Sequence, residues 1–246
     1  QLADPQVAAI VITHGTDTLE ETAWFLQCVL PAGKPVVLTC AMRPASALSA
    51  DGPANLRDAL ACAADGGALA WAQAGQPVLV VAAGEVHSAA AVRKVHAYQV
   101  HAFSSAPAGP VAWVEEGRLR WAQRLPQQVV VKNAVPLPPL PWPWVEVVTS
   151  HAGARAEGVD ALVAAGVRGL VVAGTGNGTV HAAWLPALQR ARAAGVPIVR
   201  TTRCAEGRIV QAPGQDDAEV VDLPPLKARI SLMLRCVSPS VPGLSP

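Results

Sequence analysis

Residues 10–26, IVITHGTDTLEETAWFL, place a hydroxyl and a carboxylate side by side where an apolar run gives way to a helical pattern. The apolar run ends at Thr13, the loop His14-Gly15-Thr16-Asp17 follows, and a helix is expected to start at once. A loop so placed lies at the carboxyl end of a strand and the amino end of a helix, where open α/β sheets bind their ligands. Free backbone N–H groups and the helix dipole there favour anionic groups. A hydroxyl such as that of Thr16 can orient a water or take part in proton relay, and a carboxylate such as that of Asp17 can grip an ammonium group. The same residues also suit a purely structural role. Asp17 or Thr18 would cap the helix, and Thr18-Leu19-Glu20-Glu21 fits the T-x-x-E capping box. Spacing alone leaves both roles open for Asp17. His14, alone beside a glycine, reads as a structural residue rather than a base.

The elements that would hold this loop alternate. Strands are expected at residues 7–13, 36–40 and 78–83, with helices at 19–30 and 53–64 between them. Strand–helix–strand alternation with short glycine-containing loops predicts a parallel sheet covered on both faces. Residues 111–121 read as a β-hairpin turning at Glu115-Glu116-Gly117. The run PLPPLPWPW at 136–144 holds five prolines in nine residues, which excludes a helix or a central strand and predicts an extended linker. Beyond it, strands at 145–149, 170–173 and 197–200 alternate with helices at 159–165 and 181–194, and a helix at 226–234 closes the pattern. The expected organisation is therefore a larger α/β domain at 1–133, a linker at 134–143, a smaller α/β domain at 144–237, and a disordered tail at 238–246.

Composition narrows the function classes. Of 246 residues, 51% are hydrophobic and only 4% aromatic, so the core must be built mainly from Ala, Val and Leu. A net charge of +1 from 19 basic and 18 acidic residues gives no basic face for nucleic acid. Every apolar run is broken by Gly, Pro or charge before it reaches membrane-spanning length. The opening QLADPQ has neither a basic region nor an apolar core of a signal peptide, and without an initiating Met it reads as a cut start. The five cysteines, 28, 40, 62, 204 and 236, show no CxxC spacing and are expected to be buried thiols. They lean towards a reducing, cytoplasmic setting, with a periplasmic one still open. No clustered ligands for a metal are present, and no cofactor is expected.

The segment HGTDTLEETAWFL resembles the second signature of the asparaginase/glutaminase family, a group of two-domain α/β amidohydrolases. KPVVLTCAMRPASALSADGPANL at 34–56 is similar to the strand and loop that follow in the family. GTGNGTV at 174–180, GVPIVRTTRCAEGRIV at 195–210 and LPPLKARISLML at 223–234 are similar to its C-terminal domain. The resemblance implies an N-terminal three-layer, Rossmann-like domain with a parallel sheet and a smaller C-terminal α/β domain. It implies hydrolysis of L-asparagine, and of L-glutamine in some members, to the acid and ammonia. It also implies a homotetramer built as a dimer of intimate dimers.

By that resemblance Thr16 corresponds to the family's second catalytic threonine, and Asp17 to the carboxylate that holds the substrate α-amino group. Lys94, one of only four lysines and next to Arg93, corresponds to the lysine of a Thr–Lys–Asp relay. A threonine hydroxyl is a weak nucleophile and needs a neighbouring base, which a lysine can be if burial lowers its pKa. Ala41 borders the substrate through its backbone in this reading, although AMRP is equally well a turn. Thr179 stands where relatives carry an Asn or Ser that reaches a neighbouring subunit's site, and Glu219 corresponds to the acidic residue donated across that interface.

The family's first signature, a T-G-G-T type run that supplies the primary threonine, has no counterpart in residues 1–246, nor has the tyrosine-bearing lid. The chain as it stands is therefore expected to be catalytically weak or dead and to aggregate, and the alternative reading is a catalytically inactive fragment or relic of that family. A dinucleotide-binding module is the reading from another class. Gly174-Thr175-Gly176-Asn177-Gly178 follows a strand, but its spacing is G-x-G-x-G, and no acidic residue for a ribose ends the next strand at Arg200-Thr201-Thr202. An amidotransferase acting with a tRNA-charging partner is disfavoured by the near-neutral charge.

Overall fold

The computed structural model describes residues 1–124, 137, 140–211 and 219–237. The chain divides into two compact units, Gln1–Val135 and Pro136–Pro246. Half of the expected linker and the whole expected tail lie outside the described residues.

In the first unit the strands β1 (Ile10–Thr13), β2 (Val36–Thr39) and β3 (Val78–Ala82) pair in parallel, in that order. Their alternation sorts the core into two layers, because successive side chains leave opposite faces of a strand. Val36, Leu38, Val78 and Val80 point to one face and pack with Leu19 and Ala23 of helix α1 (Leu19–Val29). Val37, Leu79 and Val81 point to the other and pack with Ala59 and Cys62 of helix α2 (Gly52–Ala63). Helix α3 (Gly66–Gln73) adds Ala68 and Trp71 to the second layer, and Trp71 stacks on Trp121 with ring centroids 5.9 Å apart.

The sheet is mixed rather than purely parallel. After β3 the chain turns back through Ala83 and Gly84, both at positive φ (52° and 77°), into the antiparallel strand β4 (Glu85–Ser88). Paired positive φ values match the right-handed strand twist, which suits a two-residue hairpin. Two short strands, β5 (Arg93–Lys94) and β6 (Phe103–Ser104), form a separate ribbon. The expected hairpin, β7 (Ala112–Glu115) and β8 (Arg118–Trp121), joins the main sheet through β4, giving the order β1-β2-β3-β4-β7-β8.

The second unit is a four-stranded, all-parallel sheet in the order β12-β11-β10-β9, with β9 (Val145–Thr149), β10 (Gly169–Gly174), β11 (Ile198–Thr202) and β12 (Glu219–Val220). Helices α4 (Glu157–Ala164) and α5 (Leu185–Ala193) bring Val159, Ala187 and Leu188 onto Leu170, Val172 and Ile198. Helix α6 (Pro225–Val237) covers the other face, where a Cβ on Gly169 would meet Leu232 at 3.0 Å. The expected helix at 181–194 begins instead as a 3-10 turn, Ala182–Trp184, and becomes α-helical at Leu185 just before Pro186. Proline has no N–H to lose in the first turn and so suits that start.

One buried side chain ties the first unit's loops to its strands. Asn55, 4% exposed, donates through Nδ2 to the Cys40 carbonyl (2.9 Å) and to Asp51 Oδ2 (3.1 Å), and accepts through Oδ1 from the Ala83 N–H (2.9 Å). It thereby joins the end of β2, the start of α2 and the β3–β4 turn. Asn55→Ala removes all of these bonds and leaves polar backbone groups orphaned. It should cost about 2–3 kcal/mol of unfolding free energy, read from a urea midpoint at unchanged slope. Loss below about 0.5 kcal/mol would show that the loops are held by other means.

Candidate active site

The loop after β1 is fixed from both sides. The His14 N–H continues the parallel ladder by donating to the Thr39 carbonyl (2.9 Å). The His14 ring donates from Nδ1 to the Gly15 carbonyl (2.7 Å), and in the neutral ring Nε2 accepts from the Thr22 hydroxyl on α1 (3.0 Å). Both ring nitrogens are thus used to shape the loop, as expected of a structural histidine. The expected capping box does not form in that way: Thr18 is the N-cap of α1 but makes no side-chain cap bond. The first-turn carboxylates Glu20 and Glu21 still suit the positive end of the helix.

Thr16 and Asp17 are joined by Lys94. Its ammonium donates to Thr16 Oγ1 at 2.8 Å and to Asp17 Oδ1 at 2.5 Å, and the Thr16 hydroxyl donates to the same Asp17 oxygen at 3.3 Å. The Lys94 side chain is only 17% exposed whereas that of Asp17 is 90% exposed, so the lysine lies behind the carboxylate. Asp17 Oδ2 has no partner among the described residues. The hydrogen bond from Lys94, the charge of Lys94 and the bond from Thr16 together hold the Asp17 carboxyl below its usual 3.8.

Glu20 places the lysine. Its buried carboxylate accepts from the Lys94 backbone N–H at 2.5 Å, which anchors the β5–β6 ribbon to the first turn of α1. Sequence reading found Lys94 only by resemblance and missed Glu20, whose position in a first helical turn suggests capping and nothing more.

Ala41 is exposed at the end of β2. The loop it opens is held by Asp51, which accepts from the N–H groups of Met42 (2.9 Å) and Arg43 (2.8 Å). Burial works against the Asp51 carboxylate, but those backbone donors and Asn55 outweigh it and leave its pKa below the usual value. At the end of the same strand, burial and the nearby Asp51 push the Cys40 thiol up to about 11, so it stays protonated and unreactive at neutral pH. Cys28 and Cys62 are also buried, but Cys204 is exposed and Cys236 only half-buried, contrary to the expectation that all five thiols are interior. No group of His, Cys, Asp and Glu among the described residues could hold a metal ion.

The second unit's candidates lie elsewhere in the sequence and in different surroundings. Thr179 is exposed and exchanges two 2.8 Å backbone bonds with Thr175 across the glycine-rich loop. Glu219 is paired with Arg235 of α6 at 2.5 and 2.7 Å in its own chain. Gly174 and Gly178 of the loop are required by packing. A Cβ on Gly174 would strike the Gly178 backbone at 2.5 Å, and one on Gly178 would strike Ile209 at 2.3 Å. Asn177 closes the loop by accepting from the Val210 N–H (2.7 Å) and donating to its carbonyl (2.9 Å).

These features define an α/β protein whose linked Thr–Lys–Asp cluster stands at the carboxyl edge of a parallel strand set. Residues 1–127 match the family described as "Asparaginase, N-terminal", and residues 144–238 match "Glutaminase/Asparaginase C-terminal domain". The chain belongs to the asparaginase/glutaminase family. It is 39% identical over 248 residues to a glutaminase-asparaginase of Pseudomonas fluorescens biotype A, an alignment covering 95% of this chain and 65% of that protein. It is 36% identical over 230 residues to L-asparaginase 2 of Escherichia coli K12, covering 91% and 65%. The crystal structure of a probable cytoplasmic L-asparaginase from Campylobacter jejuni aligns with a TM-score of 0.83 at 33% identity, covering 95% of this chain and 72% of that one. The chain thus spans about two-thirds of the length of the curated relatives it matches. Among the described residues no helix is long and apolar enough to cross a membrane.

The Asp17 carboxyl provides a direct check on the cluster. NMR titration should place its midpoint below 3.8, and Lys94→Met should move it up, because the largest causes of the depression are then gone. A midpoint at or above the ordinary value in the unsubstituted protein would mean that Lys94 does not reach it in solution.

Proposed function

We propose that this chain carries the ammonium-binding and proton-relay part of an L-asparaginase-type active site, acting on L-asparagine, with L-glutamine as a second substrate. The single observation that carries the reading is the position of Lys94, bonded at once to the Thr16 hydroxyl and the Asp17 carboxylate. A surface ion pair would need no hydroxyl in its centre, and a helix cap would need no lysine.

In this reading Asp17 Oδ2, open to solvent, accepts from the α-ammonium of the substrate. The substrate's side-chain amide then lies over Thr16. Hydrolysis breaks its carbon–nitrogen bond: water supplies the hydroxyl to the carbon and the one proton with which nitrogen leaves as ammonia. Thr16 Oγ1 holds the attacking oxygen and takes up its proton as the hydroxyl's own proton passes on. Lys94 passes that proton on to the leaving nitrogen, and Asp17 stabilises the positive charge of the lysine. Glu20 and His14 act through position: one fixes the Lys94 backbone, the other the loop. The backbone at Ala41 borders the substrate.

Assembly as a homotetramer, a dimer of intimate dimers, belongs to the same reading. Thr179 is exposed and available to a neighbouring subunit, whereas the pairing of Glu219 with Arg235 gives it a role within its own chain. No cofactor, nucleic acid or membrane enters this chemistry. The free cysteines accord with a cytoplasmic setting.

Ammonia release from L-asparagine by the protein carrying this chain tests the assignment. Asp17→Ala should lower kcat/KM by at least about a hundredfold, chiefly through KM, because the ammonium loses its counter-charge. Lys94→Met should lower kcat by about a hundredfold or more with a smaller change in KM. Because Asp17 acts in its charged form and its pKa is depressed, binding should persist as pH falls to the ordinary carboxylate range and fail only below it. In Lys94→Met the loss should begin at higher pH. Near-normal kinetics in either variant, with native circular dichroism, would contradict the roles.

A further inference from the structure

The second unit holds an arginine pair that the proposed hydrolysis does not use. In β11 the alternation turns Val199 and Thr201 to one face and Ile198 and Arg200 to the other, the face covered by α5. Arg200 pairs in register with Val172, and Ile198 with Leu170, so its guanidinium starts from a floor of aliphatic side chains. There it lines a cavity of about 120 Å³ together with Val172, Leu188, Ile198, Gln189 and Arg192.

Arg200 Nε is buried and has no hydrogen-bond partner among the described residues. A buried donor from which nothing accepts destabilises the fold that holds it. Arg192, half-buried on the last turn of α5, has no carboxylate partner among the described residues either. The helix dipole accounts for a cation at that end of α5, but not for a second guanidinium beneath it. Three other arginines of this unit are paired: Arg155 with Glu157, Arg190 with Asp160 and Arg235 with Glu219. Two like charges sharing one cavity without a counter-ion repel each other, and an anion between them removes both the repulsion and the orphaned donor.

We propose that this cavity binds a small aliphatic carboxylate. Arg200 and Arg192 hold its oxygens, Gln189 stands at the open side, and Val172, Leu188 and Ile198 cover its carbon atoms. A cavity of about 150 Å³ accommodates a benzene-sized ligand, so this one has room for about five non-hydrogen atoms, with the rest of a small ligand at its open side. The aliphatic side chains of the lining, Val172, Val180, Leu185, Leu188 and Ile198, suit a short aliphatic tail beside the arginines better than a second charge.

Isobutyrate is the probe and isobutyramide its neutral counterpart, at constant ionic strength, with binding followed by calorimetry and by the shift in Tm. Isobutyrate should bind saturably and raise Tm, and isobutyramide should do neither. Arg200→Gln and Arg192→Gln should each weaken isobutyrate by about tenfold or more, while ammonia release from asparagine stays unchanged. Asp17→Ala should bind isobutyrate normally, which separates this site from the hydrolytic one. The second substitution, on the half-buried end of a helix, keeps the test open if Arg200→Gln does not fold. Absence of saturable isobutyrate binding, equal binding by Arg192→Gln, or a stronger response to inorganic phosphate would overturn the proposal. So would a change in oligomeric mass in the arginine variants without any isobutyrate effect, which would assign the pair to an acidic side chain of a second copy.

Discussion

Everything proposed for the first unit depends on one ammonium group. Lys94 reaches from a two-residue strand to a loop 77 residues earlier and bonds the hydroxyl and the carboxylate there. The neighbouring elements make that reach possible. The parallel strands β1 to β3 bring the loop to the carboxyl edge of the sheet. The His14 ring bends the loop against α1, and the Glu20 carboxylate fixes the Lys94 backbone from the first turn of that helix. The result leaves one oxygen of Asp17 facing solvent while the other is occupied by the lysine. A ligand cation can therefore be bound without breaking the internal pair.

The strands were legible because their residues meet two conditions at once. Val36 to Thr39 and Val78 to Ala82 are β-branched or aliphatic runs buried on both faces, and each is bounded by Gly or Pro. What followed β3 was not legible as a reversal. Ala83-Gly84 has no Asn or Asp to announce a type I′ turn, and Glu85 to Ser88 alternates too briefly to be read as a strand. Helix α3 was missed because it opens on Gly66-Gly67, two poor helix formers. Its start depends instead on Asp65, whose carboxylate accepts from Gly67 N–H at 2.7 Å and from the Trp121 indole at 3.0 Å. The second of these bonds spans 56 residues, so no local window contains it.

The site shows the same division. Thr16 and Asp17 stand out locally, since a hydroxyl and a carboxylate at a strand–helix junction are visible in the sequence itself. Lys94, Glu20 and Asn55 act across long separations, and their types fit many bland roles; only the folded chain shows what they touch. The capping box shows the converse limit. Its spacing is present at Thr18 and Glu21, yet the Thr18 hydroxyl makes no cap bond. The glycine-rich loop of the second unit likewise has the look of a phosphate cradle, but Gly178 is required by Ile209 and Gly174 by the loop's own backbone.

The most direct test of the proposed site is a crystal structure of the protein with L-aspartate, the expected product, bound. The α-ammonium nitrogen should lie about 3 Å from Asp17 Oδ2, with the ligand's side-chain carboxylate against Thr16 Oγ1 and Lys94 still bonded to both residues. A ligand whose ammonium makes no contact with Asp17, or which lies away from Thr16 altogether, would contradict the assignment of this cluster to substrate.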